Sequence, residues 1–108
     1  MYLMINISKN TRVALISTIG DETHNLGTKI LGKYLESLGY NVKNLSSKIS
    51  NRELFYSVLD LKPDLVLLSV TLHSNVSNLK KIVKDLKQDS NIFSGKIIVG
   101  GQAIFFIK

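Results

Sequence analysis

Cysteine and tryptophan are both missing from the 108 residues, proline occurs once and histidine twice. Without thiols there are no disulfides and no thiolate metal sites, a composition suited to a reducing compartment. No apolar run approaches the roughly 20 residues needed to cross a bilayer. The opening MYLMINISKN has neither a basic n-region nor a small-residue cleavage site. The sequence therefore reads as soluble and cytoplasmic, with no membrane partner. Acidic residues are also scarce, 8 against 14 Lys and Arg, giving a net charge of +6. Twelve of those 14 basic residues are lysines spread along the chain. The one local cluster is Lys80, Lys81, Lys84 and Lys87, where spacings of three and four place Lys80, Lys84 and Lys87 on one side of a helix. That cluster reads as a solvated face, because the arginine-rich or aromatic-interleaved pattern of a nucleic-acid surface is lacking.

What the chain does have is 44% hydrophobic content in a regular alternation, enough for one modest core. Residues 1–10 read as an N-terminal segment or linker and 11–108 as the domain. Arg12 to Thr18 (RVALIST) is a short apolar, β-branched run that suits a buried strand. Residues 24–38 place Leu26, Ile30, Leu31, Tyr34, Leu35 and Leu38 at helical spacing, with Gly39 as the stop. Asn41 to Leu45 is a weaker strand, and Asn51 can cap a helix carrying Leu54, Phe55, Val58 and Leu59. Pro63 and Asp64 break that helix before LVLLSVT, Leu65 to Thr71, the most apolar run and the expected central strand. From Ser74 or Asn75 a third helix turns Val76, Leu79, Ile82, Val83 and Leu86 inward, and KIIVGG follows Gly95 as a fourth strand. The order βαβαβαβ predicts an α/β fold, a flavodoxin-like, Rossmann-like doubly wound parallel sheet.

Sheets of this kind bind ligands at the carboxyl ends of their strands, here Gly20 to Gly27, Ser69 to His73 and Gly100 to Gln102. A phosphoryl receiver needs an aspartate ending the third strand, and Ser69-Val70-Thr71 supplies none. A flavin site would use hydroxyls such as Ser17, Thr18 and Thr23. Asp21 and Glu22 would repel its phosphate, however, and no Trp or Tyr follows the third strand to stack on the ring. Flavin binding is the weakest of the readings kept. No nucleophile is paired with a base, so no catalytic residue is assigned.

Glu22-Thr23-His24-Asn25-Leu26-Gly27, then Ser69-Val70-Thr71 after a gap of 41 residues, then Gly100-Gly101, resembles the cobalamin-binding domain of methionine synthase, carbon-skeleton mutases, corrinoid methyl carriers and cobalamin-dependent regulators. The resemblance implies base-off, His-on binding of cobalamin, as adenosylcobalamin or methylcobalamin, with His24 as the lower axial cobalt ligand. A neutral imidazole suits cobalt, and a helix N-terminus lowers its pKa and keeps it unprotonated. Glu22 would accept a hydrogen bond from the other ring nitrogen and fix the tautomer. Thr23 belongs to the same turn, and Gly27 would let the ring system approach the helix. Ser69 would hydrogen-bond the base of the displaced nucleotide tail, Thr71 would line its slot, and Gly100 and Gly101 would leave the slot open. His73 is given no ligand role.

Within that family, Glu-x-His, LSVTLHSNVSNLKKIVKDL and VGGQAIF look most like the domain attached to MerR-type regulators and photoreceptors, which implies a sensory or regulatory module reaching DNA only through a separate domain. The alternative is a corrinoid methyl carrier or a mutase small-subunit component, since GTKIL and GYNVKNL are similar to the small subunit of glutamate mutase. In either case the reactivity belongs to the cofactor and a partner. The family domain continues after Gly-Gly with one more strand and helix, whereas this sequence stops at IFFIK, so the domain is expected to be short of them. Uncovered apolar surface around AIFFI then implies self-association, or a partner domain covering the upper cobalamin face.

Overall fold

The computed structural model describes residues 12–19, 26–45, 49–70 and 73–100, without the side chains of 26, 27 and 73. Four strands, β1 (Val13–Thr18), β2 (Asn41–Asn44), β3 (Leu65–Ser69) and β4 (Lys96–Gly100), form one parallel sheet in the order β2-β1-β3-β4. Three helices connect them: α1 (Leu26–Ser37), α2 (Asn51–Leu61) and α3 (Val76–Lys87), the last preceded by a short 3-10 turn, His73–Asn75. Among the described residues no helix is long and apolar enough to cross a membrane.

Strand alternation sends successive side chains to opposite faces, and the core divides accordingly. Ala14, Ile16, Leu65 and Leu67 pack with Leu35 of α1. Leu15, Ile19, Val66, Leu68 and Val70 pack with Leu54 and Val58 of α2 and with Leu79, Ile82 and Leu86 of α3. Among the described residues two helices therefore cover one face and α1 alone stands on the other, reaching close over β2 through Gly32. A Cβ there would sit 3.5 Å from Val42 Cγ1 and 3.6 Å from Ile16 Cδ1. On that same face Ile98 of β4 remains 50% exposed.

The strand bases are tied together by Asp64. Its N–H donates to the Val13 carbonyl at 2.8 Å, its carbonyl accepts from the Lys96 N–H at 3.0 Å, and its Oδ2 accepts from the Val13 N–H at 2.8 Å. The chain crosses so tightly here that a Cβ on Gly95 would lie 2.5 Å from the Asp64 carbonyl oxygen.

Several expectations shift in detail. The cap of α2 is Ser50, not Asn51: the Ser50 Oγ accepts from the Glu53 N–H and the Glu53 Oε1 accepts from the Ser50 N–H, both at 3.1 Å. This reciprocal pair satisfies two orphan donors, which a lone Asn could not do. Asn51 instead donates through Nδ2 to the Asn78 carbonyl, 3.1 Å away, joining α2 to α3. In α1, Leu35 is buried and Leu31 packs against its cluster. Ile30, Tyr34 and Leu38 are 63, 59 and 58% exposed. The five apolar positions whose side chains are described form two stripes, and a helix resting on the sheet turns one of them inward. Gly39 does end the helix as expected, at φ 96°, with the Tyr40 N–H folding back to the Leu35 carbonyl at 3.1 Å. Strand β3 closes at Ser69 rather than Thr71, although the Val70 N–H still bonds to the Gly100 carbonyl at 2.9 Å.

Candidate functional site

At the carboxyl edge of the sheet the register places Thr18 opposite Ser69 and Ser69 opposite Gly100. One step back the same face carries Ile16, Leu67 and Ile98 in a second row. Two hydroxyls and a glycine thus stand in line above an apolar row, on the face that α1 covers only in part. Backbone bonds hold this edge square: the Ile19 N–H donates to the Ser69 carbonyl at 3.0 Å, and the Val70 N–H reaches Gly100 as above.

Between α1 and β4 this face opens into a cleft of about 280 Å³. Its floor comes from Ile16, Leu67, Ile98, Ser69 and Gly100, and its wall from Thr28 and Leu31 of α1, while Thr18 lies beside Ser69 without lining it. A Cβ built on Gly100 would meet no atom of the described residues within 4 Å. The open end of the cleft is therefore kept clear by the missing side chain, since no neighbouring element crowds the position. An apolar floor with a few hydroxyls along one edge is the lining expected for a flat ring with a polar rim.

Of the residues singled out from sequence, Ser69 and Gly100 come together as cross-strand partners in the cleft. Gly27 is the second residue of α1. Glu22, Thr23, His24, Thr71 and Gly101 lie outside the described residues. Among the described residues no three His, Cys, Asp or Glu side chains gather as a metal cage. Sequence reasoning passed over Thr28, in the first turn of α1, and Thr18, considered only as a flavin-loop hydroxyl. Both are buried. Among the described residues the Thr18 Oγ1 has no hydrogen-bond partner. The signal for Thr18 was strand parity, which puts it in step with Ala14 and Ile16 and beside Ser69.

Solved structures share this architecture. A cobalamin-binding protein from Desulfitobacterium hafniense superposes with a TM-score of 0.78 at 22% identity, over 86% of this chain and 45% of that one. The methanol:cobalamin methyltransferase complex from Methanosarcina barkeri gives 0.76 at 21% identity, over 84% of this chain and 34% of that one. The monomethylamine corrinoid protein of the same organism gives 0.77 at 17%, over 94% and 50%. By sequence, the chain is 27% identical over 97 residues to trimethylamine corrinoid protein 2 of Methanosarcina mazei, covering 90% of this chain and 44% of that protein. It is 26% identical over 90 residues to its namesake in Methanosarcina acetivorans, covering 83% and 42%. The chain thus spans less than half the length of these curated relatives. The family model for the B12 binding domain matches residues 12–106, a span that includes every strand of the sheet and both walls of the cleft, and the chain accordingly belongs to the B12-binding domain family, whose cofactor is cobalamin.

Proposed function

We propose that this chain is the cobalamin-carrying module of a corrinoid methyl-transfer system, holding its cofactor base-off with His24 beneath the cobalt and the nucleotide tail in the cleft beside Ser69. The observation that carries the site is the pairing of Ser69 with Gly100 over an open, apolar-floored cleft. The residues present fit the tail. Ser69 offers a hydroxyl that can partner a ring nitrogen, the floor is largely aliphatic, and Gly100 contributes no side chain to the cleft.

Bound cobalamin supplies a cobalt centre that accepts a methyl group and passes it on. The chain's own residues bind and orient it. The imidazole of His24, two positions before α1, offers a lone pair to the metal, and Glu22 holds the proton on the other ring nitrogen. Thr23 and Gly27 flank that turn in sequence, while Thr71 and Gly101 extend the segments that Ser69 and Gly100 begin. Ser69 donates to the base of the tail. The upper face stays with a methyltransferase or other partner domain, as a carrier requires.

The carrier reading replaces the regulatory one as the better supported, because both curated relatives are corrinoid proteins; the motif likeness to MerR-type regulators has no counterpart among them. A mutase component is the remaining alternative. The test loads the purified chain with cobalamin in the dark, methylates it chemically and offers it to a corrinoid-dependent methyltransferase with a thiol acceptor. Transfer without any light-dependent change in oligomeric state is expected. A light-dependent change with adenosylcobalamin, and no transfer, would return the chain to the regulatory class.

A further inference from the structure

Thr18 is 2% exposed and, among the described residues, its hydroxyl has no partner. The preceding hydroxyl is buried equally well, yet it is satisfied: the Ser17 Oγ donates to the Thr18 carbonyl at 2.8 Å. Ser17 belongs to the opposite face of β1, whereas Thr18 shares the face of Ala14 and Ile16, directly beside Ser69. If shape alone mattered at Thr18, valine would fill the position without stranding a polar atom away from water. An unpaired buried hydroxyl in a native fold calls for an explanation, and this one sits next to the residue that reaches the cleft.

We infer that Thr18 is a positioning residue for Ser69: when the Ser69 O–H turns to donate a hydrogen bond to the cofactor's tail, the lone pairs of its oxygen are left to accept one from the Thr18 hydroxyl. This inference rests on the cobalamin reading of the cleft. The two hydroxyls then form a short chain in which each bond polarises the next, and the group stranded in the free protein becomes satisfied in the loaded one. The free state bears the cost of the unpaired hydroxyl, and the bound state recovers it as affinity.

The experiment is a double-mutant cycle read by hydroxocobalamin titration, with urea unfolding of each cofactor-free protein. Thr18→Val should leave the unfolding midpoint unchanged or raised while weakening binding about five- to tenfold, the loss of one such bond. Thr18→Ser, which keeps the hydroxyl, should bind within about twofold of the wild type. In a Ser69→Ala background, Thr18→Val should cost nothing further, because its partner is gone. Unaltered binding by Thr18→Val, or losses that multiply in the double variant, would overturn the inference. So would a fall in cofactor-free stability that accounts for the weaker binding. Failure of the wild type itself to bind hydroxocobalamin would instead overturn the cobalamin reading, and this inference with it.

Discussion

Ser69 faces Gly100 directly across the parallel β3–β4 pair, on the side of the sheet that opens into the cleft. The polar group and the space it serves are thus supplied by adjacent strands, and each can be altered without disturbing the other.

The first prediction follows from that separation. Gly100→Val places a β-branched side chain in a strand, where it is well tolerated, and the Cβ meets no atom of the described residues within 4 Å. The far-UV spectrum and the unfolding midpoint should stay close to wild type, while cobalamin uptake measured by gel filtration drops at least about tenfold, the branched group standing where the tail must lie. Gly101→Val should block uptake in the same way. Full uptake by Gly100→Val would place the tail outside this cleft.

Gly95 is the opposite case. Its Cβ would lie 2.5 Å from the Asp64 carbonyl oxygen, and Asp64 ties β1, β3 and β4 together. Gly95→Ala should therefore destabilise the fold by about 1–3 kcal/mol or more, as overpacking does, seen as a lower urea midpoint. Equal stability of the Ala variant would show that the Asp64 junction yields easily.

Much of this arrangement was legible in the sequence because it depends on local pattern. LVLLSVT announced a strand buried on both faces, and Gly39 and Pro63 marked helix ends by their backbone chemistry. Ser69 and Gly100 were singled out through motif spacing. What the sequence did not disclose was relational. Ile30, Tyr34 and Leu38 have the same periodicity as a core stripe, and only the placement of α1 over β1 and β2 shows that they stay outside. Ser50 lost its role to Asn51 because the reciprocal partner, Glu53, was overlooked. Thr18 looked like loop chemistry until its register with Ser69 was known.

The exposed apolar side chains of α1 and β4 carry the next expectation. Ile30, Tyr34, Leu38 and Ile98 are each at least half exposed, apolar side chains that a second copy of the chain could cover. The chain alone should self-associate as its concentration rises, and Ile98→Lys should weaken that association without loss of helix content. Sedimentation equilibrium reads both; a strictly monomeric wild type at high concentration would remove self-association from the account.

Removing the α2 cap tests the local reading of the second crossover. Ser50→Ala removes the acceptor for the Glu53 N–H and should cost about 1 kcal/mol, whereas Asn51→Ala loses only the bridge to the Asn78 carbonyl. The urea midpoint should fall more for Ser50→Ala; the reverse order would make the interhelical bridge the stronger element.

The placement of His24 beneath the cobalt is tested most directly by electron paramagnetic resonance of the loaded protein in its reduced Co(II) state, prepared with natural and with nitrogen-15 histidine. An axial protein imidazole splits each cobalt line into three through nitrogen-14 and into two through nitrogen-15. The expected result is that the labelled protein shows the two-line pattern and that His24→Ala loses it and binds more weakly, while Glu22→Gln keeps it with affinity reduced about 10- to 100-fold. A splitting unchanged by the label, or one that survives His24→Ala, would contradict His-on binding and place the cofactor's own base, or another group, under the metal.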